Sequence, residues 1–197
     1  MPVTTPVPRR EQLLEAAAAL FAERGFHAVG IDDIGAAAGI SGPGVYRHFP
    51  SKQALLEALC DRAMTRMLDG ARAISATSAD PAASLSSLVD LHVSFAVAER
   101  PLICVWVREM RALSDDVRRS LRRRMRDYEK PWNAVLSQLR GDLEPAEVAV
   151  VTSSTLAMLN ATAFTTATTQ VSPDQLTRLL RTMAHAALLT TGDPAGR

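Results

Sequence analysis

Four side chains that can bind phosphate or the edges of nucleic-acid bases lie close together in the first third of the chain. Tyr46, Arg47 and His48 are consecutive, Lys52 follows, and residues 34–56 contain no aspartate or glutamate. Basic side chains attract phosphate, and arginine can also donate two hydrogen bonds to guanine. The first 75 residues hold eight basic and eight acidic side chains, and the whole chain has a net charge of +1. The positive charge is therefore local.

The elements that must position these side chains are two short helices joined by a glycine turn. Ile31 and Ile34 begin an apolar helical face, and Gly39 follows its last apolar position, where a left-handed residue ends a helix. Ser41 can cap the next helix, and Pro43 is tolerated in its first turn. This pattern predicts a helix-turn-helix, whose second helix enters the major groove of DNA. An ordinary helical hairpin is the alternative.

The flanking helices complete a longer motif. Residues 9–26 predict an amphipathic helix ending near Gly25, and Pro50 and Ser51 precede another. The block resembles the DNA-binding domain of the TetR (tetracycline repressor-like) family over about the first third of the chain. The resemblance is carried by Ala17, Leu20, Phe21, Gly25, Phe26, Ile34, Ala38, Gly39, Ile40, Ser41, Val45, Tyr46, His48, Phe49, Ser51, Lys52 and Leu55.

The predicted DNA contacts depart from the family pattern in two places. Where family members often carry a hydroxyl residue before the second helix, this chain has Val29 and Gly30, so we expect a backbone N–H to bind phosphate there. The recognition helix begins without a hydrogen-bonding side chain, which leaves Arg47 to read bases while Tyr46, His48 and Lys52 hold phosphate. The complete predicted set is Gly30, Ser41, Gly42, Pro43, Gly44, Val45, Tyr46, Arg47, His48 and Lys52.

Composition excludes several other classes of protein. The 197 residues are 47% hydrophobic, enough for a folded core, and no run of eighteen apolar residues predicts a membrane span. Cys60 and Cys104 are too few for a disulfide framework and read as core thiols in a reducing cytoplasm. The four histidines lack metal-ligand spacing, and residues 39–43 lack the second glycine of a nucleophile elbow. We therefore predict no enzyme activity, cofactor or metal.

The remaining sequence predicts an all-α protein with two domains. We expect a mobile lead-in at 1–8, the helix-turn-helix domain at 9–50, a connecting helix at 51–75 and a larger helical domain at 76–197, with the boundary loop at 76–83. Pro131 should kink or interrupt its helix. Residues 102–107 and 148–156 are rich in β-branched residues, so strands are the alternative there.

The resemblance implies that the second domain dimerises through its last two long helices. These correspond to residues 147–165 and 175–189. A homodimer would supply two recognition helices for two half-sites, whereas the alternative is that both helices are core of a monomer. The predicted interface consists of Ser153, Leu156, Ala157, Ala161, Leu176, Leu180 and Met183.

The resemblance also implies a small-molecule effector between the helices of the second domain. Aromatic and sulfur side chains on separate helices suit an apolar site, although plain core packing is the alternative. The predicted set is His92, Phe95, Trp106, Met110, Tyr128, Trp132 and Phe164. An arginine-rich run at 118–126 is either a solvated helix face or the approach for an anionic, acyl-CoA-like effector.

These expectations converge on a ligand-responsive transcriptional regulator. We predict a homodimeric repressor that binds a near-palindromic double-stranded DNA operator in the cytoplasm and leaves it when a hydrophobic or amphiphilic effector binds, with no membrane partner. A helical adaptor or ligand-binding protein without specific DNA binding is the alternative, and a gel shift with DNA from around its own gene distinguishes the two.

Overall fold

The computed structural model describes residues 8–77, 79–164 and 170–190, and within these ranges the chain is helical with no strand. Within them, 3-10 turns at Met110–Ala112 and Thr162–Phe164 follow the helices that end at Glu109 and Ala161. The all-α prediction is confirmed, and the strand alternatives are wrong because both segments lie in helices. The helices are α1 (Arg9–Arg24), α2 (Ile31–Ala37), α3 (Gly42–Tyr46), α4 (Lys52–Thr77), α5 (Pro81–Ala98), α6 (Arg100–Glu109), α7 (Asp115–Leu139), α8 (Pro145–Ala161) and α9 (Pro173–Leu189).

The helices form two compact units whose limits differ from the predicted boundaries. The first unit contains the described residues up to Ala63 together with Pro101–Leu121, and the second contains Met64–Arg100 and the described residues from Arg122 onward. The sequence assigned residues 101–121 to the C-terminal domain. Composition along a chain cannot reveal such a segment, because its membership depends on contacts with residues far away in sequence.

The first unit is built around α1. Leu13, Leu14, Ala17 and Phe21 are buried on this helix, whereas Leu20, which its periodicity also placed on the apolar face, is half-buried. Gly25 ends the helix with a φ of 81°, and its N–H donates to the Phe21 carbonyl at 2.9 Å. This backbone conformation strains residues that carry a Cβ, so glycine is the suitable stop.

In the second unit, α9 packs against both α5 and α8. The Asp80 carboxylate caps α5 by accepting hydrogen bonds from two backbone N–H groups in its first turn. The buried Arg140 side chain forms an ion pair with Asp142 and donates to the carbonyls of Leu188 and Thr190. A buried arginine needs such partners, and here they tie the end of α7 to the end of α9.

Helix α7 continues through Pro131, so the predicted interruption is wrong, while the alternative of a kink stays a prediction. An internal proline removes one backbone hydrogen bond and costs roughly 3 kcal/mol. Tyr128, Trp132 and Leu136 fall at i, i+4 and i+8 around it and are at most 1% exposed. Burial of this stripe offsets the loss and keeps the segment helical.

By length and composition, α5 is the described helix that would be able to cross a membrane. Its polar residues Asp90 and His92 and its packing against α8 and α9 fit a different role. His92 is only 3% exposed, and eight residues of the helix are buried within the protein. We therefore describe α5 as a core helix of the second unit.

Candidate functional site

The geometry of the α2–turn–α3 segment depends on glycines at two points of close approach. Gly39 has a φ of 70°, and the Ile40 N–H donates to the Gly35 carbonyl at 2.9 Å. A Cβ on Gly35 would lie 2.8 Å from the Ile40 carbonyl oxygen, and one on Gly42 would collide with the Asp32 carboxylate. The two helices thus meet at backbone distance, which fixes how α3 projects from α2.

The end of α3 presents polar side chains to solvent. Val45 and Phe49 are at most 2% exposed and hold the helix against the unit. Between them, Tyr46 is 55% exposed, and Arg47 and His48 are exposed as well. The structure therefore brings together three of the predicted DNA contacts on one accessible surface, where a guanidinium, an imidazole and a phenol can reach bases or phosphates.

The beginning of α3 differs from the prediction. Ser41 and Pro43 are exposed, but the Ser41 hydroxyl forms no capping hydrogen bond with the helix. Gly42 is buried, Gly44 is half-buried, and the Val45 side chain is fully buried. Val45 was one of the predicted DNA contacts, but its side chain packs into the core and is not available to DNA.

The predicted phosphate contact at Gly30 is also unavailable. Its backbone N–H donates to the Asp33 carboxylate at 2.7 Å. The acidic side chain of the third helical residue therefore satisfies the donor that the sequence assigned to DNA. Sequence indicated a favourable helix start here but not that the chain's own carboxylate would occupy it.

Lys52 does not lie free for phosphate. Its ammonium donates to the carbonyls of Phe26 and Val29, both at 2.7 Å, and to that of His27 at 3.4 Å. It also lies 4.5 Å from the centroid of the Phe26 ring. Since an ammonium has three N–H donors, the fold uses all of them, and the predicted phosphate contact is corrected to a structural one.

Two arginines at the start of α1 were not among the predicted DNA contacts. Arg9 donates to the Ala38 carbonyl at 2.8 Å, at the end of α2. The Arg10 guanidinium lies 4.8 Å from the centroid of the Phe49 ring, beside the exposed end of α3, and its side chain is 54% exposed. The α3 residues lie more than thirty positions later in the sequence. The proximity of these arginines to α3 could therefore not be predicted from sequence.

Family models match both halves of this arrangement. Residues 13–59 match the model described as "Bacterial regulatory proteins, tetR family", and residues 78–164 match "Tetracyclin repressor-like, C-terminal domain". The chain belongs to the TetR family. The resemblance predicted from the first third of the sequence is confirmed.

Individual TetR-family proteins match at moderate identity. The transcriptional activator FasR of Mycolicibacterium smegmatis is 39% identical over 44% of this chain and 40% of its own length. The transcriptional repressor KstR2 of Mycobacterium tuberculosis is 31% identical over 66% of each chain. These alignments thus span between two fifths and two thirds of the relatives. A TetR-family regulator from Bordetella parapertussis superposes with a TM-score of 0.80 over 95% of this chain and 98% of its own, at 26% identity.

The second unit of this TetR-family protein contains a buried cluster of aromatic and polar side chains. His92 Nδ1 lies 2.9 Å from the Tyr128 hydroxyl, and Nε2 lies 3.2 Å from Asn160 Oδ1. Trp132 packs edge-on against both rings, with centroid distances of 6.2 and 6.1 Å. Three predicted ligand residues are therefore in contact, and sequence missed Asn160, a polar residue with no motif around it.

The protonation of this cluster follows from its geometry. Burial lowers the pKa of His92 to about 4, so the imidazole is neutral at physiological pH. Because Asn160 Oδ1 only accepts, His92 Nε2 carries the proton and Nδ1 accepts the Tyr128 hydroxyl proton. Burial also raises the pKa of Tyr128 above its ordinary value. The cluster is uncharged, and these hydrogen bonds join its own members.

The other predicted ligand residues are distributed over both units. Phe95 is buried in the second unit with the Arg66 guanidinium 5.9 Å from its ring centroid. Phe164 is half-buried in the 3-10 turn after α8. Trp106 and Met110 are half-buried and belong to the first unit, on α6 and on the 3-10 turn that follows it.

The predicted dimer residues on α8 and α9 have two different environments. Ser153, Ala157, Ala161 and Met183 are exposed, whereas Leu176 is half-buried. Leu156 and Leu180 are each 2% exposed and belong to the core of the protomer, so they cannot touch a second copy directly. Val150 on α8 and Leu179 on α9 are also apolar and exposed, at 62% and 53%.

Some arginines of the run on α7 are paired with nearby groups of the same chain, and several are exposed to solvent. Arg118 pairs with Asp115 and also donates to the Arg111 and Leu113 carbonyls. Arg119 pairs with Asp116. The exposed arginines of the run are Arg119, Arg122, Arg123 and Arg126.

Proposed function

We propose that this chain is a homodimeric transcriptional repressor that binds a near-palindromic DNA operator in the cytoplasm and releases it when a small effector binds. The observation that carries the proposal is the exposed, acid-free end of α3. Arg47 there has the chemistry to read guanine in the major groove, and Tyr46, His48 and Arg10 surround it with groups that bind phosphate. Of the curated relatives, FasR is named as a transcriptional activator and KstR2 as a transcriptional repressor.

The dimer in this proposal forms through the outer face of α8 and α9. On α9, Leu179 and Met183 are 53% and 45% exposed, and on α8 Val150 is 62% exposed. Exposed apolar residues grouped on one face are typical of interfaces. The α9 residues border an open groove of about 540 Å³, large enough for several side chains of a second copy. The groove is lined by Val171, Gln175, Arg178, Leu179, Thr182 and Met183.

The effector in this proposal is an apolar or amphiphilic molecule that binds in the second unit. The neutral His92–Tyr128–Asn160 cluster supports recognition of a hydroxyl or carbonyl group, while the surrounding aliphatic core suits an apolar body. A structural neighbour at 20% identity, AibR, is described in complex with isovaleryl coenzyme A and operator DNA. An acyl-CoA-like effector would place its anionic part near exposed arginines, since the cluster itself carries no positive charge.

DNA selection from a random-sequence library followed by a gel shift tests the proposal. We expect a near-palindromic sequence, one dimer per site, and an affinity that falls steeply with salt. About six phosphate contacts give a log–log slope near −5. A slope near zero would remove DNA binding as the function.

The effector part is tested separately. A thermal-shift screen of acyl-CoA thioesters and neutral lipids should find a compound that stabilises the protein and also releases the selected DNA. Stabilisation without release would leave a DNA-binding protein whose ligand is not its effector.

A further inference from the structure

The turn between α1 and α2 (Gly25–Gly30) is held by two charged side chains from distant positions in the chain. The Lys52 ammonium donates hydrogen bonds to the carbonyl oxygens of Phe26 and Val29 in this turn, both at 2.7 Å. The Glu109 carboxylate, at the end of α6, accepts a hydrogen bond from the Phe26 N–H of the same turn at 3.1 Å. Glu109 lies within the first unit, although 83 residues separate it from Phe26.

The position of this turn affects α3 through a short series of contacts. The turn ends where α2 begins, and α2 meets α3 at backbone distance through Gly35 and Gly42. A Cβ on Gly35 would lie 2.8 Å from a carbonyl of the connecting turn and 3.3 Å from the Gly42 nitrogen, so the backbones of α2 and α3 are in close contact here. We therefore expect a displacement of the turn to move α2 and, with it, α3.

Glu109 satisfies a donor that the end of α1 leaves unpaired. Phe26 follows the helix, its ring is 7% exposed, and it packs edge-on against Phe21 at 5.2 Å. Its N–H is partly buried, and a partly buried N–H without an acceptor is costly. A carboxylate acceptor strengthens the bond, so loss of Glu109 should free the turn.

We propose that Glu109 is a positioning residue for the DNA-binding surface. It acts through the Phe26 N–H and, with Lys52, sets the start of α2 and the direction of α3. It takes no part in DNA contact itself, because its carboxylate faces the turn. The proposal rests on the proposed function, since its main readout is DNA affinity.

The test compares Glu109→Ala and Glu109→Gln with Glu23→Ala. Glutamine keeps the acceptor oxygen without the charge, and Glu23 is an exposed carboxylate of the same unit that does not touch the turn, so its removal matches the charge change. The probe is a duplex selected by the unaltered protein from a random-sequence library, followed by fluorescence anisotropy at several salt concentrations. Hydrogen exchange at the Phe26 amide is measured on the same proteins.

We expect Glu109→Ala to weaken binding about tenfold, as for one lost hydrogen bond to a charged group. Its salt slope should equal that of the unaltered protein, because the number of phosphate contacts is unchanged. Exchange at Phe26 should accelerate in this variant only, while Glu109→Gln and Glu23→Ala keep both affinity and protection.

Three results would overturn the proposal. These are full affinity in Glu109→Ala, a shallower salt slope in that variant, or a Glu109→Gln variant that behaves like Glu109→Ala. If the unaltered protein selects no DNA, the proposed function fails instead. Unchanged exchange at Phe26 in Glu109→Ala would then still reject the role of Glu109 in holding the turn.

Discussion

His92 and Tyr128, 36 positions apart in sequence, form a buried hydrogen bond of 2.9 Å in which the neutral imidazole accepts the phenolic proton. The bond lies beside Trp132, which is fully buried. A second bond joins the imidazole to Asn160. This arrangement has a direct consequence for acid stability.

We predict that the second unit loses stability as pH falls from about 6.5 to 4. In this range an unfolded chain protonates His92, whereas the folded chain does not, because burial lowers the folded pKa of His92 to about 4. Stability is therefore present above the unfolded pKa and is lost on acidification, by about 3 kcal/mol at pH 4. Urea denaturation followed by tryptophan fluorescence at several pH values measures the loss. His92→Gln should remove most of this dependence, and an identical pH profile in that variant would contradict the assignment.

We predict that Arg47→Ala and Lys52→Ala weaken DNA binding in different ways. Arg47→Ala should reduce affinity for the selected duplex by about 1–3 kcal/mol per half-site and reduce random-sequence binding less. Lys52→Ala should lower the melting temperature of the first unit, since three carbonyls lose their donor, but leave the salt slope nearly unchanged. Anisotropy titrations at several salt concentrations measure both. If the salt slope of Lys52→Ala were shallower by about one, Lys52 would contact phosphate after all, as the sequence predicted.

We predict that Leu179→Glu produces monomers. Its side chain is 53% exposed on the proposed dimer face, so a buried charge there would oppose association without disturbing the protomer core. Sedimentation should give about 21.2 kDa in place of twice that mass. Ala134→Glu, which adds the same charge at an exposed position of α7, is the control and should remain dimeric.

A substitution at the neighbouring Leu180 distinguishes loss of the dimer interface from unfolding of the protomer. Because Leu180 is 2% exposed, Leu180→Glu should destabilise the protomer itself. A Leu179→Glu variant that stays dimeric would reject this face as the interface.

We predict that the glycines between α2 and α3 differ in their tolerance of alanine. Gly35→Ala would bring a Cβ within 2.8 Å of the Ile40 carbonyl, a backbone atom that cannot move away, and should cost about 1–3 kcal/mol. At Gly42 the obstacle is the Asp32 side chain, so Asp32→Ala should largely rescue Gly42→Ala. Thermal denaturation of the single and double variants measures both effects. Equal costs at Gly35 and Gly42, with no rescue, would contradict these contacts.

Sequence alone predicted the elements better than the roles of individual side chains. The helix-turn-helix was predictable because its signals are local. They are the apolar periodicity of α2, the glycine that follows α2 at Gly39, and the apolar pair Val45 and Phe49, spaced at i and i+4. The role of Lys52 was not, because its acceptors lie 23 to 26 positions earlier and only the fold brings them together.

The second unit shows the same limit at the level of one residue. Leu179 and Leu180 are chemically identical neighbours, yet the first is half exposed and the second is buried. One helical step rotates a side chain by about 100°, and the apolar pattern of α9 is too wide to show which side faces the core. The cluster around His92 was predicted in part because aromatic residues are conspicuous, and Asn160 was missed because an isolated asparagine is not.

The contact between Asp32 and Gly42 also limits how this protein can evolve. Any side chain at Gly42 must displace the carboxylate, so this position cannot readily acquire a new base-reading residue. Exposed positions 46 to 48 carry no such restriction. After a gene duplication, the two copies would therefore diverge in target sequence through substitutions at exposed positions such as these, while Gly42 and the packing beneath it stayed the same.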